Sequence, residues 1–480
     1  MSDWQVQRRN TDATYALLEK TNSRHVFECL TDSYRELGID YNHPLEALLV
    51  SATPVRWESS TVHDFDALGN PTDTRVRAQA DGVDTAPIET HFTATYVNNA
   101  STWFIGQKTS ELATQTTPAG SATRISSYTY DGTTGRRTES NTGAVTDTSV
   151  FLRTTTSYDR FGNIATVEQL DANNTLLRRS ILTFDARGMF PISVENGLGQ
   201  VVRLKHEPRF GNLTGTLDAN GVESWLVFDA LGRLRRMQRA DGTWSRKWWT
   251  HQPTTVYPDA NALLTEHTQT SQGAIDAKSY DFRGRPLKQV WLGLRGKSFT
   301  QEMAYDGFGQ VYQSSRPYAA NASPRWTTMT YDRRGRLETV HEPDGTTQAY
   351  RYAGTRTWVT DGRSETQSIR RNGEGRIVEV IDPAANTTTY QYGPFGTLLS
   401  VDGFGRSITQ VFDDYGRRTS VDDPNTGTTI FQIDPLGQVT RMTDGRGMTT
   451  ETQFDLLGRT VREIRPNSTR TWEYDHGSSG

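Results

Sequence analysis

Short stretches of the chain alternate between polar residues and apolar or β-branched residues. The segments TTIFQID (residues 428–434) and MTTETQFD (residues 448–455) show this period of two, and each ends at an aspartate. Alternation of this kind, with β-branched and aromatic residues enriched, is typical of β-strands. The pattern therefore predicts strands that end at aspartate-led turns.

One motif marks these strand ends along the chain: an aromatic residue, aspartate, a short variable stretch, glycine, and then usually arginine, asparagine or glutamine. Further copies begin at Phe184 and Tyr305, and degenerate copies at Phe65, His206, Tyr392 and Ile433. We assign a structural role to the following motif residues: Tyr130, Asp131, Gly135, Arg136, Tyr158, Asp159, Gly162, Phe228, Asp229, Gly232, Arg233, Tyr280, Asp281, Gly284, Arg285, Tyr331, Asp332, Gly335, Arg336, Phe412, Asp413, Gly416, Arg417, Phe454, Asp455, Gly458 and Arg459.

The motif is periodic. Toward the end of the chain the aspartate position returns every 20 or 21 residues, at 372, 393, 413, 434, 455 and 475. Two longer gaps upstream predict worn copies near Trp249 and Tyr352. A second turn-rich cluster lies 11 residues before several copies, at Asp218, Asp402, Asp423 and Asp444. Two turns per period leave about six residues for each strand, and a fixed period of this size indicates a repeat architecture.

Each part of the motif has a structural explanation. Aspartate opens a type I turn by accepting hydrogen bonds from its own backbone, and glycine closes the turn with positive φ. Such a turn joins two strands through a β-bulge. We expect the aromatic ring to stack on its counterpart in the next hairpin, and the arginine to lie over that ring or to pair with a neighbouring aspartate. None of these roles requires catalytic chemistry.

Composition narrows the function classes. With 41 glycines and 34% hydrophobic residues among 480, the chain predicts many turns and thin layers. The net charge of −4 is dispersed, so we expect no nucleic-acid partner. The single cysteine, Cys29, excludes an intrachain disulfide. No apolar run approaches the length of a membrane span, and the first ten residues lack the apolar stretch of a signal peptide.

The pattern divides the chain into three segments. Residues 1–57 do not follow the repeat; Leu17, Leu18, Phe27 and Leu30 have helical spacing, and strand-like pieces are mixed with them. Residues 58–127 form a transition in which TWFIGQ (residues 102–107) is interpreted as a buried strand. Residues 128–480 form the repeat array. The array ends inside a repeat, so we expect a last strand beginning at Tyr474 with an open edge that pairs with further repeats.

The Tyr-Asp-x-x-Gly-Arg signature at this spacing resembles the YD-repeats of Rhs proteins, of the B and C subunits of insecticidal toxin complexes and, more distantly, of teneurins. The resemblance covers roughly residues 58–480. It implies an all-β fold in which β-hairpins form a long coiled sheet, the spiralling wall of a hollow shell. On the order of 34 strands at ~4.8 Å each would make a flat sheet ~160 Å wide, which strand twist forces to coil.

The resemblance also implies a function. In bacterial members the shell encloses a toxic domain, so we expect a structural encapsulation scaffold whose partners are the remaining shell repeats or a second shell subunit, and an enclosed toxin or effector. We expect no cofactor and no enzymatic activity. The implied location is bacterial, with synthesis in the cytoplasm and non-classical export or cell-surface association. Two alternatives stay open: a YD-repeat module that binds glycan or protein at a cell surface, and a carbohydrate-active enzyme.

Three further segments, and the regular carboxylates, have a candidate function beside a structural interpretation, and the structural one is favoured in each. DFDALGN (residues 64–70) resembles a calcium loop but lacks two ligands, so a turn is favoured. IDPLGQVTRMTDGRG (433–447) partly resembles the core segment that closes bacterial shells, but Asp434 keeps the repeat period. RKWWTHQ (246–252) is interpreted as a worn repeat rather than a ligand site. Paired carboxylates could hydrolyse glycosides, but turn chemistry explains the regular aspartates.

Overall fold

The computed structural model describes residues 3–6, 20–26, 56–80, 82–144, 146–251, 262–293 and 296–475. These residues form 38 β-strands and a single 3-10 turn at Pro394–Gly396, so the described chain is all-β, as the alternation predicts. The residues with predicted helical spacing lie outside the described residues, and so does Cys29; the former are Leu17, Leu18, Phe27 and Leu30. The strand Lys20–Val26 falls in the same segment of the chain.

The strands are named in chain order. The first ten are β1 (Asp3–Val6), β2 (Lys20–Val26), β3 (Arg56–Phe65), β4 (Pro71–Ala80), β5 (Ile88–Asn99), β6 (Phe104–Thr117), β7 (Gly120–Tyr130), β8 (Arg137–Thr142), β9 (Leu152–Tyr158) and β10 (Ile164–Leu170). The next sixteen are β11 (Leu176–Phe184), β12 (Pro191–Asn196), β13 (Val201–His206), β14 (Leu213–Leu217), β15 (Glu223–Phe228), β16 (Leu234–Gln238), β17 (Trp244–His251), β18 (Leu264–Thr270), β19 (Ile275–Tyr280), β20 (Pro286–Leu292), β21 (Ser298–Tyr305), β22 (Val311–Ser315), β23 (Tyr318–Ala319), β24 (Trp326–Tyr331), β25 (Leu337–His341) and β26 (Thr347–Ala353). The last twelve are β27 (Arg356–Thr360), β28 (Thr366–Arg371), β29 (Ile377–Ile381), β30 (Thr387–Tyr392), β31 (Leu398–Gly403), β32 (Arg406–Phe412), β33 (Arg418–Asp423), β34 (Gly427–Ile433), β35 (Val439–Thr443), β36 (Thr449–Phe454), β37 (Thr460–Arg465) and β38 (Ser468–Thr471).

The chain divides into two compact units. The first contains residues 1–180, 352–358 and 367–480, and the second contains residues 181–351 and 359–366. The three-segment division of the sequence stays a prediction. Within each unit, successive strands pair antiparallel, as β35 and β36 do in the first unit and β17 and β18 in the second. One local exception lies in the second unit, where β21 pairs with both β22 and β23 while β22 pairs with β24.

A β-bulge lies at the end of each motif strand. Between β36 and β37, Gln453 faces Arg462 but Phe454 faces Thr460, so one extra residue is absorbed beside the turn. The same shift occurs between β19 and β20, where Tyr280 faces Pro286. An aspartate-led turn closed by glycine explains the bulge, because this turn leaves one more residue on the outgoing strand than on the incoming one.

The layers are thin. Most side chains along the strands are half-buried, and no large side chain in the described residues is fully buried. The buried apolar residues are few and include small ones such as Ala80 and Ala277. A low hydrophobic share is sufficient for such a fold, because each residue loses only part of its contact with water.

Three sequence predictions about individual residues are wrong. Trp103 does not lie in a buried strand: it is 79% exposed with φ of 58°, and β6 begins one residue later, at Phe104. The last described strand, β38, begins before Tyr474 because Arg465 already pairs with Ser468 across a two-residue turn. The motif rings also do not stack on one another, for a reason given with the site below.

Candidate functional site

The repeated turn is the most regular side-chain arrangement in the structure, and the copy after β36 shows its geometry. Asp455 Oδ1 accepts hydrogen bonds from the backbone N–H groups of Leu457 (2.9 Å) and Arg459 (3.0 Å). The Gly458 N–H donates to the Asp455 carbonyl at 2.9 Å, and Gly458 has φ of 80°. Arg459 Nε donates to Asp455 Oδ2 at 2.7 Å. One carboxylate thus organises the whole turn.

Most assigned motif residues lie in the same arrangement. The Arg Nε to Asp Oδ2 distance is 2.6–2.8 Å in the copies with Asp229, Asp281, Asp332, Asp413 and Asp455. The motif glycines have φ between 67° and 91° at positions 135, 162, 188, 232, 284, 309, 335, 416 and 458. The copy at Asp131 has a turn one residue longer, in which Oδ1 accepts from Thr133 and Thr134. In the copy at Asp159, Asn163 takes the arginine position.

The turns hold their aspartates in the charged form. The side-chain amide of Asn70 is the main cause that lowers the pKa of Asp66 to about 2. The backbone N–H of Arg233 is the main cause of the lowered pKa of Asp229. Burial raises the pKa of Asp281, but the hydrogen bonds from Arg285 outweigh it and the net pKa is lowered. These carboxylates are acceptors committed to their own turns.

In many copies the residue after the motif glycine reaches forward to the next copy. Guanidinium groups lie over the next aromatic ring in five pairs: Arg136 over Tyr158 at 5.5 Å, Arg233 over Trp249 at 4.3 Å, Arg285 over Tyr305 at 4.4 Å, Arg376 over Tyr392 at 5.6 Å and Arg459 over Tyr474 at 4.3 Å. Where the residue is an amide, it donates to the next glycine carbonyl, as Gln310 does to Gly335 at 2.8 Å.

This forward contact explains why the predicted ring-on-ring stacking is wrong. Two strand spacings of ~4.8 Å separate successive motif rings, which places them ~10 Å apart. Stacked rings need centroids within about 7 Å. A guanidinium group fills the intervening space. The structure also supports the worn copy near Trp249, whose ring takes the motif position beneath Arg233, while residues 252–261, where its turn would fall, lie outside the described residues.

The motif tyrosines reach backward. Tyr331 Oη donates to the Val311 carbonyl at 2.7 Å, and Tyr305 Oη donates to the Pro286 carbonyl at 2.8 Å. In both cases the acceptor lies two residues after the preceding motif glycine. Burial raises the pKa of both hydroxyls, which therefore stay protonated and able to donate. These tyrosine copies are thus tied to the copies before them.

A second arrangement, which sequence reasoning missed, joins late turns to early strands within the first unit; we call it the seam. Gly373 N donates to Asp84 Oδ2 at 2.8 Å, and Arg56 Nε donates to the Gly373 carbonyl at 2.7 Å. The same Asp84 oxygen accepts from Ala80 N at 2.7 Å. These partners are about 290 to 317 residues apart along the chain.

The seam continues at the next two late turns through the residue before the motif glycine. Tyr415 Oη accepts from Ile125 N at 3.0 Å and donates to the Ile125 carbonyl at 3.3 Å. The Arg124 guanidinium lies 3.9 Å from the centroid of the Phe395 ring. An apolar residue recurs before the glycine in many copies, and this was the available sequence signal. In the second unit the equivalent Phe308 is 94% exposed.

Two alternative sites considered from the sequence, at DFDALGN and at Asp434, are turns in the structure. No group of three His, Cys, Asp or Glu side chains there is arranged to hold a metal ion. In DFDALGN, Asp66 accepts from Leu68 N, Asn70 N and Asn98 Nδ2, which is a turn. Asp434 also heads an ordinary turn, with the Gly437 N–H on its carbonyl at 2.9 Å. No helix of the described chain is long and apolar enough to cross a membrane.

Comparison with known proteins agrees with this geometry. The Teneurin YD-shell family model matches residues 261–454. The crystal structure of TcdB2-TccC3 superposes with a TM-score of 0.68 over 96% of this chain and 32% of that chain, at 12% identity. Residues 261–454 thus match a YD-shell, and the chain resembles the YD-repeat proteins in fold. A Photorhabdus luminescens Tc holotoxin pore superposes with a TM-score of 0.71 over 95% of this chain and 32% of that chain, at 11% identity.

A curated relative extends the comparison to another bacterium. Double-stranded DNA deaminase toxin A of Burkholderia cenocepacia is 26% identical over 144 residues, which is 29% of this chain and 10% of that protein. This YD-repeat chain thus spans about a third of the toxin-complex chains that it matches. The resemblance to the Rhs and toxin-complex YD-repeats is confirmed, and so is the all-β hairpin fold of a YD shell.

Proposed function

We propose that this YD-repeat chain is a wall segment of a shell that encloses a toxin or effector domain in a bacterial toxin system. The observation that carries the proposal is the superposition on TcdB2-TccC3 along 96% of the chain. The motif chemistry supports it, because the recurring aspartate, arginine and tyrosine side chains of the repeat hold each turn together or join one hairpin to the next.

The proposed partners follow from the same comparisons. Because the chain spans about a third of the toxin-complex chains, further wall segments would come from additional repeats or from a second shell subunit. The enclosed partner would be an effector domain. The two named relatives belong to bacteria, Burkholderia cenocepacia and Photorhabdus luminescens, which supports a bacterial protein that is delivered outside the cell.

We infer that the chain is a scaffold rather than an enzyme. A general acid needs a carboxyl group whose pKa is raised toward neutrality. Every resolved carboxyl shift in the described chain is downward, for example at Asp229 and Asp281, because turn hydrogen bonds stabilise the charged form. Screening against glycosides, esters, peptides and nucleotides should return no turnover. Reproducible turnover that a single Asp or Glu substitution abolishes would contradict a scaffold role.

Protease protection tests the enclosure directly. The chain is coexpressed with the other wall segments and the effector encoded beside it, and the purified assembly is digested with a nonspecific protease. The effector should survive much longer than the same effector expressed alone. The matched control is the assembly opened by mild denaturant, in which the effector becomes accessible. Cleavage of the assembled effector at the rate of the free one would overturn the proposal.

A further inference from the structure

One face of the sheet formed by β15–β18, in the second unit, presents tryptophan and arginine side chains. Residues that are directly opposite in antiparallel strands share a face. The registers place Trp225 opposite Gln238, Gln238 opposite Trp244, and Arg236 opposite Arg246. Trp248 lies two residues after Arg246 on the same strand and opposite His267. We call this set of side chains the cationic face.

The side chains of the cationic face form a ladder. The Arg236 guanidinium lies 5.5 Å from the Trp244 ring centroid, and the Arg246 guanidinium lies 5.7 Å from Trp244 and 5.2 Å from Trp248. The Trp248 ring is stacked on His267 with centroids 4.9 Å apart and planes within 6°. The tryptophan rings therefore hold both guanidinium groups in place, which lowers the conformational entropy that binding a ligand would cost.

The ladder lies at the surface, and although Arg246 Nε donates to Gln269 Oε1 at 2.8 Å, its two charges are not neutralised by carboxylates of the described residues. Arg236 and Arg246 are exposed, and neither has a carboxylate within ion-pair distance in the described part of the chain. The opposite face of the same strands differs: Lys247 Nζ pairs with Glu266 Oε1 at 2.8 Å. Beside the ladder, Trp225 is 41% exposed and Val227 is 52% exposed. The cationic face is thus both positive and apolar.

This chemistry selects among ligands. Nucleic acid bases and sugar rings bind tryptophan by stacking on its open faces, but arginine and histidine already cover the Trp244 and Trp248 rings. The guanidinium groups offer donors that suit carboxylates, and Trp225 with Val227 offers apolar surface. An extended polypeptide that carries acidic and apolar side chains satisfies both requirements.

We propose that the cationic face binds an acidic, extended segment of a polypeptide partner. Identifying this partner with the enclosed effector rests on the proposed function, in which an effector chain lies against the wall. The charge of the cationic face supports the selectivity: Arg236 and Arg246 are two exposed positive charges, although the whole chain has a net charge of −4.

Fluorescence anisotropy on the full chain tests the binding. The probe is a labelled random copolymer of glutamate and tyrosine, titrated at low salt, with polylysine and oligo(dT) as comparison ligands. Arg236→Gln combined with Arg246→Gln should weaken copolymer binding about tenfold, the size expected for two charged contacts at a surface. The matched control is Lys247→Gln with Lys278→Gln, which removes the same charge from the opposite face and should change affinity by less than about twofold.

Each other outcome contradicts the inference. Equal losses in the two double variants would mean nonspecific charge attraction. Tighter binding of oligo(dT) than of the copolymer would identify a nucleic-acid surface. Absence of saturable copolymer binding would show that the cationic face does not bind acidic polypeptides. Circular dichroism of each variant verifies that the sheet is retained. The two proposals can fail separately. If the cationic face binds the copolymer but the assembled effector is cleaved as fast as the free effector, only the enclosure is refuted. If the effector is protected but the arginine double variant binds the copolymer like the wild type, only the cationic face is refuted.

Discussion

Replacing Gly373 by alanine is the sharpest test of the seam in the first unit. A Cβ built on Gly373 would lie 2.6, 2.7 and 2.8 Å from the backbone N, Cα and C atoms of Gln79. Real Cβ atoms essentially never approach other heavy atoms below 3.0 Å. Because the opposing atoms belong to the backbone of β4, they cannot swing aside as the end of a flexible side chain could.

The size of the effect follows from the shift that the new methyl group demands. Moving the closest contact from 2.6 Å to an ordinary 3.4 Å separates the turn from β4 by the difference, 0.8 Å. A shift of this size would stretch the 2.8 Å bond between Gly373 N and Asp84 Oδ2 beyond hydrogen-bonding distance. Overpacking costs about 1–3 kcal/mol, and a lost hydrogen bond to a charged group about 1.5–3 kcal/mol. The two costs together give an expected local loss of more than ~2 kcal/mol.

Hydrogen exchange measured by mass spectrometry reports this loss where it occurs. A local loss of ~2 kcal/mol or more should accelerate exchange about thirtyfold or more in residues 78–84 and 372–376. Gly307→Ala is the matched control, since a Cβ there meets nothing within 4 Å and its φ is not positive. Wild-type exchange in both seam segments of the Gly373→Ala chain, or equal loosening by Gly307→Ala, would refute this account of the seam.

Three further predictions concern the repeat itself. Alanine at Gly416 or Gly458 should destabilise its turn by about 1 kcal/mol or more, because each has φ of 80°; exchange that loosened uniformly along the chain would contradict the expected local damage. Tyr331→Phe should cost about 0.5–1.5 kcal/mol through the lost bond to the Val311 carbonyl, and unchanged exchange around that strand would contradict it. The pKa of Asp66 is lowered to about 2, so the stability that its charged form gives to the turn is complete above the ordinary pKa of 3.8 and is lost as pH falls from there toward 2. The Asp66→Asn substitution should remove this pH dependence from the hydrogen exchange of the turn.

The turns could be predicted from sequence because their interactions are local. Every hydrogen bond of Asp455 within its own turn is made by a residue no more than four positions away. The residues at those positions therefore determine most of the turn geometry, and the regular spacing of the copies predicts the hairpins between the turns. The same reasoning explains why DFDALGN was correctly interpreted as a turn, since Asn70 lies at the motif position after glycine.

The errors arise where the answer depends on distances between strands. Ring-on-ring stacking is reasonable from the motif alone, but it ignores the second strand of each repeat, which doubles the separation of the rings. Trp103 was interpreted as part of a strand. Its own positive φ places it instead in the turn before β6. Neither error could be corrected without knowing where the preceding strand ends.

Sequence reasoning missed the seam, and it singled out only the segment RKWWTHQ of the cationic face and interpreted that segment as a repeat; the two failures have different reasons. The seam joins residues such as Asp84 and Gly373 that are 289 positions apart, and a periodic sequence does not specify which distant repeats meet. The cationic face depends on register: Arg236 and Arg246 are ten residues apart and become neighbours only because β16 and β17 pair in one alignment.

The forward contacts explain how a repeat with so many degenerate copies keeps its structure. An arginine after the motif glycine lies over an aromatic ring of the next copy, as Arg233 does over Trp249, or donates to a backbone carbonyl of that copy, as Arg417 does to the Asp434 carbonyl at 2.9 Å. An amide in the same position needs only a backbone carbonyl, so it does not depend on the ring: Gln438 donates to the Gly458 carbonyl at 3.3 Å. The phenylalanine copies at Phe228 and Phe454 lack the backward hydroxyl bond but keep the forward contact, through Arg233 and Arg459. Because two different chemistries couple neighbouring hairpins, substitutions at one position need not uncouple them, and a thin sheet can diverge widely in sequence while each repeat still supports the next.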